Sequence, residues 1–136
     1  MSYTITDIKC HLKACGIDSE NGIVVSSGVL AAHNLRRAQD IDIVVTADKF
    51  KQLQATGLFN LAYFQDGAPC LRMGSMEIFV KWDQPGDTKP NFSDLYKDSE
   101  LISDVRFLKL ERVKQWKTRW SRPKDVQDLE LIEAKY

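Results

Sequence analysis

Asp40-Ile41-Asp42-Ile43-Val44-Val45 alternates carboxylates with an apolar run and reads as a β-strand. Residues i and i+2 of a strand share a face, about 6.5–7 Å apart along it. Asp40 and Asp42 fall on one face, and Ile41, Ile43 and Val45 on the other. The apolar face requires a core. The acidic face is costly unless it meets water, a cation or a basic partner. Paired carboxylates on a rigid strand suit Mg²⁺, a hard ion that takes one or two carboxylates plus substrate phosphates. Taken alone, the segment reads first as a solvated strand edge with two surface aspartates.

The flanking sequence predicts an α/β chain. Upstream, Gly22 to Ser26 contains Ile23-Val24-Val25, a short buried strand, and Ser27 to Leu35 reads as a helix that starts where the strand ends. Earlier still, Ile5, Ile8, Leu12 and Cys15 recur at helical spacing, with Gly16 as the stop. Downstream, Thr46 is an N-cap for a helix over Ala47 to Ala55 that Gly57 ends. Strands follow at Leu61–Gln65, Pro69–Met73 and Ser75–Trp82, with a hairpin signal at Asp66-Gly67 and a turn at Gly74. Asp83 to Pro90 is a polar loop. A short helix is expected near Phe92–Tyr96 and a strand near Val105–Leu108. Two helices close the chain, Lys109–Trp120 and Pro123–Lys135, the second with proline in its first turn. No repeat, low-complexity tract or long linker divides residues 1–136, so one domain is expected: a mixed sheet, helices mainly on one face and a cleft on the other.

Composition narrows the function classes. The 136 residues are 43% hydrophobic and 28% charged, and 19 Lys+Arg balance 19 Asp+Glu, which argues against generic nucleic-acid binding by bulk charge. No run approaches the roughly 18 apolar residues of a membrane span, so no membrane association is expected. The first residues show neither the basic start nor the apolar core of a signal peptide. Three cysteines, Cys10, Cys15 and Cys70, fit reduced thiols in a cytoplasmic protein, and their spacing matches no zinc pattern.

Two further groups accompany the acidic strand. The small-residue turn Ser26-Ser27-Gly28 precedes a helix whose first N–H groups are free, an arrangement that suits a phosphate. In strand Ser75–Trp82, Glu77, Phe79 and Lys81 share one face and Met76, Ile78, Val80 and Trp82 the other, so Glu77 is a candidate third acid. Asp125 and Asp128 fall on one helix face within reach of Arg122 and Lys124 and are read as ion-pair partners. Trp82, Trp116 and Trp120 are read as core or interface aromatics. Arg36 and Arg37 follow a helix and suit its C-terminal dipole.

Residues 26–45 resemble the signature of the nucleotidyltransferase superfamily, the polymerase-beta-like fold. That signature runs from a hydrophobic residue through Gly and Gly or Ser to a helix, then Asp-hydrophobic-Asp/Glu-hydrophobic. Met76-Glu77-Ile78-Phe79 is similar to the strand that carries the third acid. Arg122-Pro123-Lys124-Asp125-Val126-Gln127-Asp128-Leu129 is similar to the C-terminal helix start of the small bacterial members, including those of toxin–antitoxin and abortive-infection systems. The resemblance covers most of residues 20–135. It implies Asp40, Asp42 and Glu77 as the catalytic acids and the ligands of Mg²⁺ or Mn²⁺. It implies Ser26, Ser27 and Gly28 as the phosphate turn, with Lys117, Arg122 and Lys124 holding the triphosphate. Ser26 stands where the family keeps its first glycine.

The implied activity is Mg²⁺-dependent transfer of a nucleoside monophosphate from an NTP, ATP being the expected one, to an acceptor hydroxyl on a protein or RNA. A homodimer is a further expectation. Two alternatives stay open. One is a non-catalytic relative acting as an antitoxin-like partner or nucleotide-binding regulator. The other is a nucleic-acid-binding module using the basic stretch Lys109–Lys124.

Overall fold

A computed structural model describes residues 2–64, 67–82 and 89–135. Among the described residues there are seven strands and six helices: α1 Ile5–Ala14, β1 Gly22–Val25, α2 Ser27–Ala32, β2 Ile41–Val45, α3 Ala47–Ala55, β3 Asn60–Tyr63, β4 Pro69–Met73, β5 Met76–Phe79, α4 Phe92–Tyr96, β6 Ser99–Ile102, β7 Val105–Leu108, α5 Leu110–Trp120 and α6 Pro123–Lys135. The strands form one mixed sheet in the order β3-β4-β5-β2-β1-β7-β6. At its centre β2 runs antiparallel to β1 and parallel to β5, and β1 runs parallel to β7. The α/β architecture, with two C-terminal helices, is the one expected from the sequence.

Local chemistry sets the ends of most elements. The Thr4 hydroxyl accepts from Asp7 N–H and the Asp7 carboxylate accepts from Thr4 N–H at 2.9 Å, so α1 starts in a capping box. It stops at Gly16, whose φ of +67° is cheap only for glycine. Thr46 caps α3 through Lys49 N–H. Helix α2 is shorter than its sequence suggests. It ends at Ala32 because Asn34 turns left-handed (φ +57°), with Leu35 N–H donating back to Leu30 O and Asn34 N–H to Ala31 O.

Three other expectations change. Strand β2 begins at Ile41, with Asp40 in the bend before it. Strand β6 was not anticipated; it pairs with β7 across a turn at Ser103 and Asp104, both at positive φ. Strand β5 ends at Phe79, and the bend at Val80 breaks the alternation, so Trp82 joins the side of Glu77 and Phe79 instead of opposing it. The tip of the Asp66-Gly67 hairpin at residues 65–66 and most of the Asp83–Pro90 loop lie outside the described residues.

The two sheet faces are covered differently. On the face of Val24 and Ile43, α2 packs so tightly that a Cβ at Gly28 would stand 2.4 Å from Val24 Cγ1 and 3.6 Å from Ile8 Cδ1. The end of α1 reaches the same face, where Cys15 Sγ meets Met76 Sδ at 3.9 Å. The opposite face carries Val25, Asp42 and Glu77, in register across three adjacent strands, and Phe79 two residues beyond Glu77. Residues from α5, α6 and the junction between them line the cleft over that face. No helix among the described residues is long and apolar enough to cross a membrane.

Candidate functional site

The cleft over the acidic face has a volume of about 260 Å³ and brings together Asp40, Asp42 and Glu77, Ser26 from the β1–α2 turn, and Arg122 and Lys124 from the start of α6. Asp42 and Glu77 are direct register partners on parallel strands. Asp40, two residues before Asp42, reaches the same cleft from the bend. Larger hollows lie elsewhere, including one of about 640 Å³ along the flank of α5, whose described lining holds one carboxylate, Glu111, rather than three. Chemistry, not size, marks this cleft.

The acids crowd one another. Burial, then the negative charge of Glu77 and then that of Asp40, pushes the Asp42 carboxyl up to about 7, while Lys124 and Lys117 pull it down. Glu77 is partly relieved by Arg72, its register partner on β4, at 3.8 Å. Cys70 Sγ lies 3.9 Å from the same carboxylate. Strand alternation could have found Arg72, because it opposes Glu77 once β4 and β5 are paired through Gly74.

The cations fall into two groups. Lys117, expected at the triphosphate, is only 2% exposed and does not line the cleft. Its Nζ sits 3.3 Å from Asp125 Oδ1 and 2.9 Å from Asp128 Oδ2. Arg36 grips Asp128 through Nε at 2.7 Å and Nη2 at 3.0 Å. Arg122 grips Asp125 through Nε at 2.7 Å and its backbone N–H at 3.1 Å. Burial alone would raise both aspartates; the hydrogen bonds from Arg122 to Asp125, and from Arg36 and Lys117 to Asp128, outweigh it and hold both carboxyls below the ordinary range. This chain of five charges ties the α2–β2 connection to both C-terminal helices and fixes Arg122 at the cleft. Lys124, by contrast, is exposed at the cleft with no ion pair among the described residues.

The small-residue turn divides as well. Ser26 lines the cleft with φ +60° and ψ −133°, a region close to glycine-only backbone, and its hydroxyl makes no cap to α2. Ser27 Oγ instead donates to Asp40 O at 3.2 Å, joining the turn to the acidic strand. Gly28 is buried against Val24 and serves helix–sheet packing. The structure thus brings Ser26, Asp40, Asp42, Glu77, Arg122 and Lys124 together and leaves Ser27, Gly28 and Lys117 behind them.

Sequence reasoning missed the other half of the cleft, an aromatic wall of Phe64, Phe79, Trp82, Trp116 and Trp120. Among the described residues no three His, Cys, Asp or Glu side chains stand close enough, as placed, to hold a metal ion. The donor set is nevertheless of the kind a cation takes, three carboxylates lining one cleft, where burial first and then the charges of Glu77 and Asp40 raise Asp42. No family model, curated protein or solved structure matches the chain.

Proposed function

We propose that the cleft is the active site of a nucleotidyltransferase-like protein that moves a nucleoside monophosphate from an NTP to an acceptor hydroxyl. The single observation that carries the reading is the convergence of Asp40, Asp42 and Glu77 beside Arg122 and Lys124. Carboxylates with no basic partner of equal charge invite a divalent cation, and cations beyond them invite phosphates. Asp40, Asp42 and Glu77 would hold Mg²⁺ or Mn²⁺. Such a metal supplies charge neutralisation at the attacking and leaving oxygens of an in-line displacement at phosphorus.

The chain's own groups do the rest. Lys124 offers its ammonium to the leaving pyrophosphate, and Arg122, oriented by Asp125, presents a fixed guanidinium beside it. Glu77 or Asp42 takes the proton of the acceptor hydroxyl as its oxygen bonds to the α-phosphorus. The reading is tested by incubating the protein with each NTP, Mg²⁺ and candidate protein or RNA acceptors. Pyrophosphate release and an acceptor heavier by one nucleoside monophosphate are expected, both absent with Asp40→Asn/Asp42→Asn.

A second reading has its own observation. Lys117 and Arg122 spend their charge on Asp125 and Asp128, which leaves Lys124 as the cleft cation without an ion pair among the described residues. A nucleotide would then be bound more weakly, as suits a regulator or antitoxin-like partner that binds without turnover. That protein would bind MgATP but release no pyrophosphate with any acceptor.

A further inference from the structure

We infer that the aromatic wall of the cleft is a base-stacking platform, so that the ligand is a nucleotide held at its base by Trp120. The inference rests on the nucleotide reading of the acidic half and adds the other half of the ligand.

The aromatic residues form a continuous relay. Phe64 and Phe79 stack with centroids 5.7 Å apart, Phe79 meets Trp82 edge-on at 5.8 Å, Trp82 meets Trp116 at 5.1 Å, and Trp116 meets Trp120 at 6.1 Å. Four members sit deep or half-buried, and their packing on one another explains their presence. Trp120 is different: it remains 37% exposed at the end of α5, so indole surface is left open to water at a cleft mouth. Arg122 already holds a cation–π position on it, 4.7 Å from ring centroid to guanidinium carbon. Asp125 fixes that guanidinium from the other side at 2.7 Å. A planar cation and an indole held together at the edge of a charged cleft form a rigid surface for a flat ring.

The two halves of the cleft therefore ask for one kind of molecule. Its flat apolar end must be joined by a short linker to an anionic end that meets carboxylates, a cation and Lys124. A nucleotide has that form; a peptide aromatic lacks the polyanionic end and a lipid lacks the flat ring. Among the described residues lining the cleft, the groups able to meet a base edge are Ser26, the charged side chains and the indole N–H groups, of which Trp116 Nε1 is buried without a hydrogen-bond partner. Stacking tolerates any base in proportion to its π-face. ATP and GTP should then both bind more tightly than CTP.

Calorimetric titration of the full chain with MgATP, MgGTP, MgCTP and Mg-tripolyphosphate separates the possibilities. Trp120→Ala should bind MgATP about tenfold or more weakly, consistent with the stacking of one base, while its affinity for Mg-tripolyphosphate falls by much less, because Asp125 still holds Arg122. Trp120→Phe should keep most of the MgATP affinity, and circular dichroism checks that each variant is folded. The platform is overturned if Trp120→Ala binds MgATP like the parent, if it loses MgATP and tripolyphosphate equally, or if MgCTP binds the parent as tightly as both MgATP and MgGTP. If the parent binds tripolyphosphate but gains nothing from the base, the platform alone falls. If the parent binds neither, the nucleotide reading falls and the platform with it.

Discussion

Asp42 on β2 lies in register with Glu77 on the parallel neighbour β5, so two carboxylates face each other across adjacent strands in a cleft that Asp40 also enters. The pair has an energetic signature. Asp42, pushed up to about 7 from an ordinary 3.8, holds its proton in the folded chain where the unfolded chain releases it. Folding stability therefore falls as pH rises from about 4 to about 7 and levels off above that. Asp42→Asn removes the cost. In EDTA the variant should be more stable than the parent by about 2–4 kcal/mol at pH 8.5, with the difference shrinking below about 1 kcal/mol at pH 4.5. Urea denaturation at the two pH values measures it; a variant equally or less stable at pH 8.5 would contradict the assignment.

The buried ion chain predicts a contrast between two lysines. Lys117 is enclosed by Asp125 and Asp128, so Lys117→Met leaves two buried carboxylates short of a partner and should cost about 3 kcal/mol. Lys124 is exposed, so Lys124→Met should change stability by less than about 0.5 kcal/mol yet weaken MgATP binding. Denaturant midpoints and titration heats of both variants check the pair. Equal stability losses would mean that the two lysines do not divide the work in this way.

Ser26 carries backbone strain that only glycine would shed. At φ +60° and ψ −133°, Ser26→Gly should stabilise the protein by about 1 kcal/mol, whereas Ser26→Ala, which keeps the Cβ, should not. Thermal melts of both variants read the difference directly.

Gly28 is glycine for a different reason. Its φ is not in the positive region, but an added Cβ would fall 2.4 Å from Val24 Cγ1 at the α2–β1 contact. Gly28→Ala should therefore destabilise by about 1–3 kcal/mol, as overpacked core positions do. A variant as stable as the parent would mean that α2 shifts freely on the sheet.

Much of this arrangement was legible in the sequence. Period-2 alternation put Asp42 opposite Ile41 and Ile43 and put Glu77 on the face of Phe79, while Gly16 marked where α1 stops and Thr46 where α3 begins. What could not be read was long-range placement. Strand β6 escaped because Ser99-Glu100-Leu101-Ile102 does not alternate and its turn uses Ser103 and Asp104 in place of the usual Asn-Gly. Lys117 looked like a surface cation, because nothing local reveals that Asp125 and Asp128 close over it. Trp82, Trp116 and Trp120 read as core or interface aromatics, and the first two are buried, but helix and strand periodicity show which face is apolar and not which cleft it borders. Those three rings and the buried lysine are tertiary facts, fixed only when α5 and α6 fold over the acidic face.

The most direct test of the central claim is a calorimetric titration of ATP into the protein with Mg²⁺ and with EDTA, repeated on Asp40→Asn/Asp42→Asn. The account predicts binding that requires Mg²⁺ and disappears in the double variant. Circular dichroism of the double variant checks that the loss is not unfolding. Absence of binding at millimolar ATP with Mg²⁺, or binding that persists unchanged in EDTA and in the variant, would contradict it.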